Sequence, residues 1–457
     1  MTKCLLRFAR EDFDALTAHL FPGDNDEHGA VLLAGISYRR AQLTLLVREI
    51  HIAREGTDYV KGKIGHRELT PTFIHRLITR ARDERLVYLA VHNHGSDLRV
   101  GFSRVDLESH KRGYPALLQI ARGMPVGALV LGRRSIQADI WLPDGTRAEL
   151  DHAVVIGNTI QRLTPGPTGQ QSTAADIYER QVRMFGKAGQ EELSRCRIGI
   201  IGLGGIGSLV AEYLARLGVA QFLLVDDDLI EESNLSRIVG ASRSDVRARN
   251  TKVAVSERTI IQANDRAQVD VLVGDVAHES VAKSLTSCDY LFLAADSMRA
   301  RLVFNALVHQ YLIPGVQLGS KIHSDSKSVL VDVMSANRPV RPGQGCLWCN
   351  QLIDPNQLAK EAKTDEERKS QAYGTEEPNP SVISLNAVSA AHAVNDFLLD
   401  YLGLRTDGGL LYYEHFHFLK RTRILVEPRR GVDCPECSRA GKRYGRGDLV
   451  ALPCVEG

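Results

Sequence analysis

Gly202, Gly204 and Gly207 stand in the pattern G-x-G-x-x-G, directly after the apolar run Arg197–Ile201 and just before an apolar helical pattern. In such a turn the first glycine permits a tight bend and the second lets a phosphate approach the backbone. The third lets helix pack on sheet. The helix N-terminus that follows presents free N–H groups and a positive dipole to an anion. A second strand then ends at Asp226, placed to hold a ribose. NAD- or FAD-dependent oxidoreduction would account for these residues equally well. The next residues narrow the chemistry: Asp226, Asp228, Glu231, Ser233, Asn234, Leu235 and Arg237 form a polar series ending in arginine. Hydride transfer has no use for such a series. An enzyme that breaks ATP at the α-phosphate does, because charge developing on the phosphates must meet cations and fixed donors.

A second constellation lies upstream. The apolar run Leu86–Val91 leads into His92-Asn93-His94, Ser103 and Asp106 open a helical pattern, and Glu27 precedes another apolar run. Alternate residues of a strand share a face, so both imidazoles can meet one metal ion. Two histidines and an aspartate leave a fourth zinc position open, and a nearby glutamate can act as base. Ser103 followed by Asp106 also suits a plain helix cap that needs no metal, and the histidines also suit a solvated strand end. The third set is cysteine. Four of the eight cysteines form two C-x-x-C pairs, Cys346/Cys349 and Cys434/Cys437. Each pair gives two thiolates, and together they complete a closed structural zinc site. Disulfides fit less well, since the opening MTKCLLRFARED has no signal-peptide pattern.

The run from Gly202 to Arg237, with Gly205 inside it, resembles the ThiF/MoeB superfamily that includes the ubiquitin-activating enzymes. Tyr178-Glu179-Arg180-Gln181 matches the family's Y-x-R-Q segment, Lys252 follows at about the family spacing, and Asp296 follows the apolar strand Tyr290–Leu293. The resemblance spans roughly Asp176 to Cys437. It implies ATP and Mg²⁺ as cofactors, with Asp296 holding magnesium, Lys252 and Arg237 on the phosphates, and Arg180 reaching the ATP of a second subunit in a homodimer. It implies adenylation of the terminal glycine of a ubiquitin-like or sulfur-carrier protein, with a separate conjugating enzyme as a further partner. Glu27, His92, His94, Ser103 and Asp106 resemble the JAB/MPN (JAMM) metalloprotease motif. That implies a catalytic Zn²⁺ on His92, His94 and Asp106, Glu27 as base, Ser103 at the oxyanion, and cleavage after such a glycine. The gap from His94 to Ser103 is one residue longer than the usual pattern, and Gly95 stands where proline is common.

These sites need two α/β domains to position them. At 457 residues the chain is long enough for both. The expected organisation is a JAB/MPN-type domain over 1–156, a Pro/Gly/Ser/Thr-rich tether over 157–175, and a Rossmann-like ThiF-type domain with a zinc knuckle over 176–457. The net charge of +2 points to neither nucleic acid nor an acidic membrane surface as partner. No apolar run reaches the length of a membrane span, and a cytoplasmic enzyme is the expectation. An activating enzyme that passes its acyl group to an internal cysteine would carry it in the loop near 350–380, which has none. Ser370, Thr375 and Cys454 remain as weak candidates, a hydroxyl being a poor nucleophile without an adjacent base. Direct handover of the adenylate, as by a sulfur-carrier activator, is the other course.

Overall fold

The structure, a computed structural model, describes residues 2–24, 26–39, 42–60, 67–96, 98–166, 176–325, 329–362, 380–405 and 411–455. Two compact units divide the chain. The first comprises Met1–Gln171, Gln310–Leu312 and Arg439–Ala451; the second comprises Ser172–His309, Ile313–Ser438 and Leu452–Gly457.

The first unit is built on β1 (Lys3–Ala9), α1 (Arg10–Leu20), β2 (Gly29–Arg39), β3 (Gln42–Ile52), α2 (Pro71–Glu84), β4 (Val87–Asn93), α3 (Arg104–Ala121), β5 (Val126–Leu131), β6 (Ile136–Trp141), β7 (Arg147–Ile156) and β8 (Ile160–Leu163). Its sheet runs β1-β3-β2-β4-β5-β6-β7-β8, and β1 also pairs with β7, so the sheet closes on itself. The strands are rich in Val, Ile and Leu, which suit a pleated, buried surface. Leu6, Phe8, Leu32, Val47, Leu89 and Leu129 meet in the core. β8 lies inside the stretch expected as tether, and residues 167–175 of that stretch lie outside the described residues.

The unit is not contiguous in sequence, where one unbroken domain was expected from residue 176. Its C-terminal segment, 439–451, is held throughout. Tyr444 is fully buried and its hydroxyl donates to Asp12 at 2.9 Å. Arg48 donates to the carbonyls of Gly441 and Tyr444, and Arg446 pairs with Glu84 at 2.8 Å. The Asp448 N–H donates to the Ile36 carbonyl at 2.7 Å. A Cβ on Gly35 would stand 2.0 Å from the Gly445 carbonyl oxygen, so only glycine admits the segment there.

The second unit opens on α4 (Glu179–Arg195), β9 (Arg197–Ile201), α5 (Gly205–Arg216), β10 (Gln221–Val225), α6 (Arg243–Ala248), α7 (Lys252–Ala263) and β11 (Gln268–Leu272). It continues through α8 (Glu279–Ser284), β12 (Tyr290–Leu293), α9 (Met298–Gln310), β13 (Gly315–Ser324), β14 (Leu330–Val340), α10 (Pro355–Glu361), α11 (Ile383–Tyr401), β15 (Tyr413–His417) and β16 (Thr422–Val426). The strand order is β11-β10-β9-β12-β13-β14-β15-β16. β9 to β13 run parallel to one another, and β14 to β16 add an antiparallel extension. The chain order reverses across β9, with β10 on one side and β12 on the other. Ligands bind outside the carboxyl ends of strands at such a switch point.

Candidate functional sites

The carboxyl end of β9 turns through Gly202, whose φ of +89° is a conformation that glycine adopts without strain. A Cβ on Gly202 would lie 2.6 Å from the Ala295 nitrogen, and one on Gly207 would lie 1.9 Å from the Gly202 carbonyl oxygen. One on Gly205 would meet the Asn386 amide nitrogen at 2.4 Å and Arg237 Cδ at 3.3 Å. Gly204 differs: nothing stands within 4 Å of the place a Cβ would take. Three glycines are therefore imposed by the protein's own packing. The fourth faces open space at the N-terminus of α5, where the free amides are.

Asp226, just beyond β10, is buried and accepts from the Leu203 N–H at 2.6 Å and the Asp228 N–H at 2.9 Å. It thus ties the second strand to the glycine turn. Burial pushes its carboxyl up, against the pull of Lys252, whose ammonium lies 4.0 Å away. Lys252 is the first residue of α7; its ammonium pairs with Asp228, and its N–H donates to the Asp228 carbonyl at 3.0 Å. Arg237 donates to the Ser233 carbonyl at 2.6 Å. Asn234 is buried and accepts from the Glu231 N–H at 3.2 Å, so it shapes the loop that carries Arg237. Asp296 is exposed. The N–H groups of Ala294 and Ala295 donate to the Ile201 carbonyl at 2.8 and 3.1 Å, which pins its loop beside Gly202. Arg180 is exposed in the first turn of α4 and forms no ion pair among the described residues.

Sequence reasoning missed Asn386 and Ser320. Asn386, near the start of α11, packs on Gly205, donates to Ser381 Oγ at 3.0 Å and accepts from Ser320 Oγ at 2.8 Å. The only signal was a polar residue early in an apolar helix.

The four paired cysteines converge although 84 residues of sequence lie between the pairs' inner members, Cys349 and Cys434. Cys346 Sγ lies 3.8 Å from Cys434 Sγ, and Cys349 Sγ lies 3.8 Å from Cys437 Sγ. Four sulfurs at about 2.3 Å from a tetrahedral zinc stand about 3.8 Å apart, so the set fits that ion. The Cys349 N–H points at Cys346 Sγ and the Gly431 N–H at Cys349 Sγ, at 3.3 and 3.4 Å. Of the other cysteines, Cys4, Cys196 and Cys288 are buried and Cys454 is half-buried. Ser370 and Thr375 lie outside the described residues.

In the first unit, β2 and β4 pair with Gly29 opposite His92, and the His28 N–H donates to Asn93 Oδ1 at 2.6 Å. This brings Glu27 to the end of β4. His92 Nε2 and His94 Nε2 each lie 3.7 Å from Asp106 Oδ2, and His94 Nε2 lies 3.7 Å from Glu27 Oε1. Ligands at about 2.0–2.1 Å from a tetrahedral ion stand roughly 3.4 Å apart, a few tenths of an ångström closer than these. Among the described residues His92 Nε2 is buried without a hydrogen-bond partner, an orphan that a metal would satisfy. Burial pushes the Asp106 carboxyl up, but the His92 imidazole beside it and the Ser103 N–H outweigh this and hold it below the ordinary carboxylate range. Ser103 is the N-cap of α3: its Oγ accepts from the Asp106 N–H at 3.2 Å, and its own N–H donates to Asp106 Oδ2 at 2.8 Å. The cap and the metal geometry coexist, for the cap aims the Asp106 carboxylate.

A family model described as the ThiF family matches residues 178–435. The sulfur carrier protein ThiS adenylyltransferase of Bacillus subtilis is 35% identical over 130 residues, which are 28% of this chain and 39% of that protein. The SAMP-activating enzyme E1 of Haloferax volcanii is 28% identical over 273 residues, 59% of this chain and 91% of that one. A crystal structure of Escherichia coli MccB with MccA-N7isoASN, 19% identical, aligns over 58% of this chain and 76% of that chain with a TM-score of 0.48.

Proposed function

This chain belongs to the ThiF family, and from that premise we propose that its second unit adenylates the C-terminal carboxylate of a ubiquitin-like or sulfur-carrier protein. A carboxylate oxygen attacks the α-phosphorus of ATP. The bond from that phosphorus to the bridging oxygen breaks, pyrophosphate leaves, and an acyl-adenylate forms. One observation carries the reading. The open face of Gly204, the Asp226 carboxylate bonded to the turn, and the Lys252 ammonium form one rim at the switch point of the sheet. The turn's amides and Lys252 bind phosphate, Asp226 takes the ribose, and Arg237 adds positive charge. Asp296 would hold the magnesium ion, which neutralises phosphate charge when bound. Arg180 acts on the site of a partner subunit in a homodimer.

The acyl group passes directly to a nucleophile supplied by another protein. Support comes from the cysteines themselves: four converge as a zinc clip, three others are buried, and the eighth, Cys454, is half-buried.

The first unit is proposed to act as a JAMM-type peptidase that hydrolyses the bond after the same glycine. His92, His94 and Asp106 would hold a zinc ion, which supplies Lewis acidity toward water and carbonyl when bound. Glu27, 3.7 Å from His94 Nε2, takes and returns the proton. Ser103, held as the α3 cap, would turn its hydroxyl proton toward the oxyanion.

Carrier-dependent exchange of labelled pyrophosphate into ATP tests the adenylation reading. Exchange lost in Asp296→Ala supports it, whereas NADH binding without exchange returns the glycine turn to oxidoreduction.

A further inference from the structure

The antiparallel part of the second sheet has one face turned toward α11, where Asn337 donates to Asp396 at 2.6 Å. On the opposite face the register sets Gln317 beside Arg338 and His415 beside Ala336, and alternation carries Tyr413 to the same side. Arg338 donates to Gln317 Oε1 at 2.6 Å. Arg301, from α9, donates to the Leu352 carbonyl at 2.8 Å. Among the described residues, four buried side-chain atoms in this group have no hydrogen-bond partner: Nε of Arg301, Nε of Arg338, the Tyr413 hydroxyl oxygen and His415 Nε2. Among the described residues, no carboxylate lies within ion-pair distance of either guanidinium.

Burial and the nearby Arg301 charge both work against the Arg338 cation, pulling it down to about 10. Burial works likewise against Arg301, with Asp296 and Glu361 pulling the other way. Two half-buried like charges with unmade hydrogen bonds cost stability unless a ligand completes them. Arginine donates and never accepts, and its planar fork matches a carboxylate. The neighbourhood already holds one: Glu361 accepts from the N–H groups of Met298 and Arg299, both at 3.0 Å, at the start of the helix that carries Arg301.

We propose that Arg301 and Arg338 form the site that seats the C-terminal carboxylate of the polypeptide substrate before it reacts. This rests on the adenylation reading. β12 ends at Leu293 opposite Gln317, which lies opposite Arg338, so the pair is level with the strand end that leads to Asp296. A site there brings the carboxylate toward the proposed magnesium position, and the preference is for a free acid over any neutral terminus.

The test uses the full chain and a fluorescein-labelled hexapeptide ending in Gly-Gly, as free acid and as C-terminal amide, with inorganic pyrophosphate as competitor. The acid should bind at least about tenfold more tightly than the amide, the scale of one charge-assisted bond. Arg338→Gln should erase that preference while Mg-ATP affinity, measured by calorimetry, stays within about twofold of the wild type. Arg338→Gln, whose amide can still donate to Gln317 Oε1, should melt no lower than the wild type without peptide, since it removes an uncompensated charge. A melt well below the wild type means that the guanidinium charge is already compensated and overturns the site. So does an acid preference that is absent, or that survives Arg338→Gln. Pyrophosphate binding lost in Arg338→Gln without any acid preference makes it a phosphate subsite instead, and also overturns it. Failure of the wild type to bind Mg-ATP strikes the adenylation reading, separately from the acid–amide comparison.

Discussion

Two glycines three residues apart should differ in what the same added methyl costs the fold. In Gly207→Ala the new Cβ would stand 1.9 Å from the Gly202 carbonyl oxygen, with the Gly202 carbonyl carbon at 2.9 Å. Non-bonded carbon neighbours sit at roughly 3.5 Å, so the backbone must part by well over 1 Å. Both atoms belong to the same β9–α5 turn, and no flexible side chain can yield. Overpacking of this kind costs about 1–3 kcal/mol. Relief moves the Leu203 amide away from Asp226, so part of the cost falls on the ligand site. Gly207→Ala should therefore lower the unfolding free energy by about 1–3 kcal/mol and weaken Mg-ATP by a part of that, about tenfold or less. In Gly204→Ala the methyl meets no protein atom within 4 Å. Its folding cost should be no more than about 0.5–1 kcal/mol, that of alanine at an N-cap. Its ATP affinity should still fall about tenfold or more, because the methyl stands where phosphate approaches the backbone. Urea denaturation reads the first quantity and calorimetry the second. A Gly204→Ala protein that binds Mg-ATP as the wild type does would refute the placing of phosphate at this turn. A Gly207→Ala protein of wild-type stability would refute the packing argument.

Tyr444→Ala should cost the first unit about 3–5 kcal/mol, as for a fully buried aromatic, and Tyr444→Phe about 1–2 kcal/mol for the bond to Asp12; urea titration monitored on that unit checks both. By plasma mass spectrometry the purified chain should carry two zinc ions per molecule, His92→Ala with His94→Ala one, and Cys437→Ser one. A count unmoved by the histidine pair would remove the metal from the first unit. Burial, with Arg338 and His417 beside it, pushes the His415 imidazole down to about 4. Its folded value is thus below its unfolded one, near 6.5, so stability is full above about pH 6.5 and declines as pH falls toward 4. His415→Gln should flatten that part of a stability–pH curve measured by thermal melting.

Much of the second unit was legible in the sequence because its signals are local. The strands Arg197–Ile201 and Tyr290–Leu293 are short apolar runs, and they form over those same residues. The glycine spacing announced the turn because Gly202 takes a φ of +89° and Gly207 packs on the carbonyl oxygen five residues before it, both local demands. The arginine pair was not legible. Arg301 and Arg338 come together only because β13 and β14 pair in one register beneath α9, and nothing in 36 intervening residues encodes that proximity. Asn386 against Gly205 is hidden for the same reason, being a contact across 181 residues.

By itself the sequence determined the chemistry on offer: a phosphate turn followed by acids and cations, four thiols in two pairs, and two histidines on alternate strand positions. Residue type and near spacing set these, and both are written in order along the chain. Only the tertiary structure decided which of them meet. It drew the two cysteine pairs to 3.8 Å, and it used the Ser103 cap to aim Asp106 between His92 and His94. It also gave residues 439–451 to the first unit, around Tyr444. The physical reason is common to all three. A long-range contact is fixed by burial and hydrogen bonds that form only in the folded chain, and the unfolded order of residues carries no mark of it.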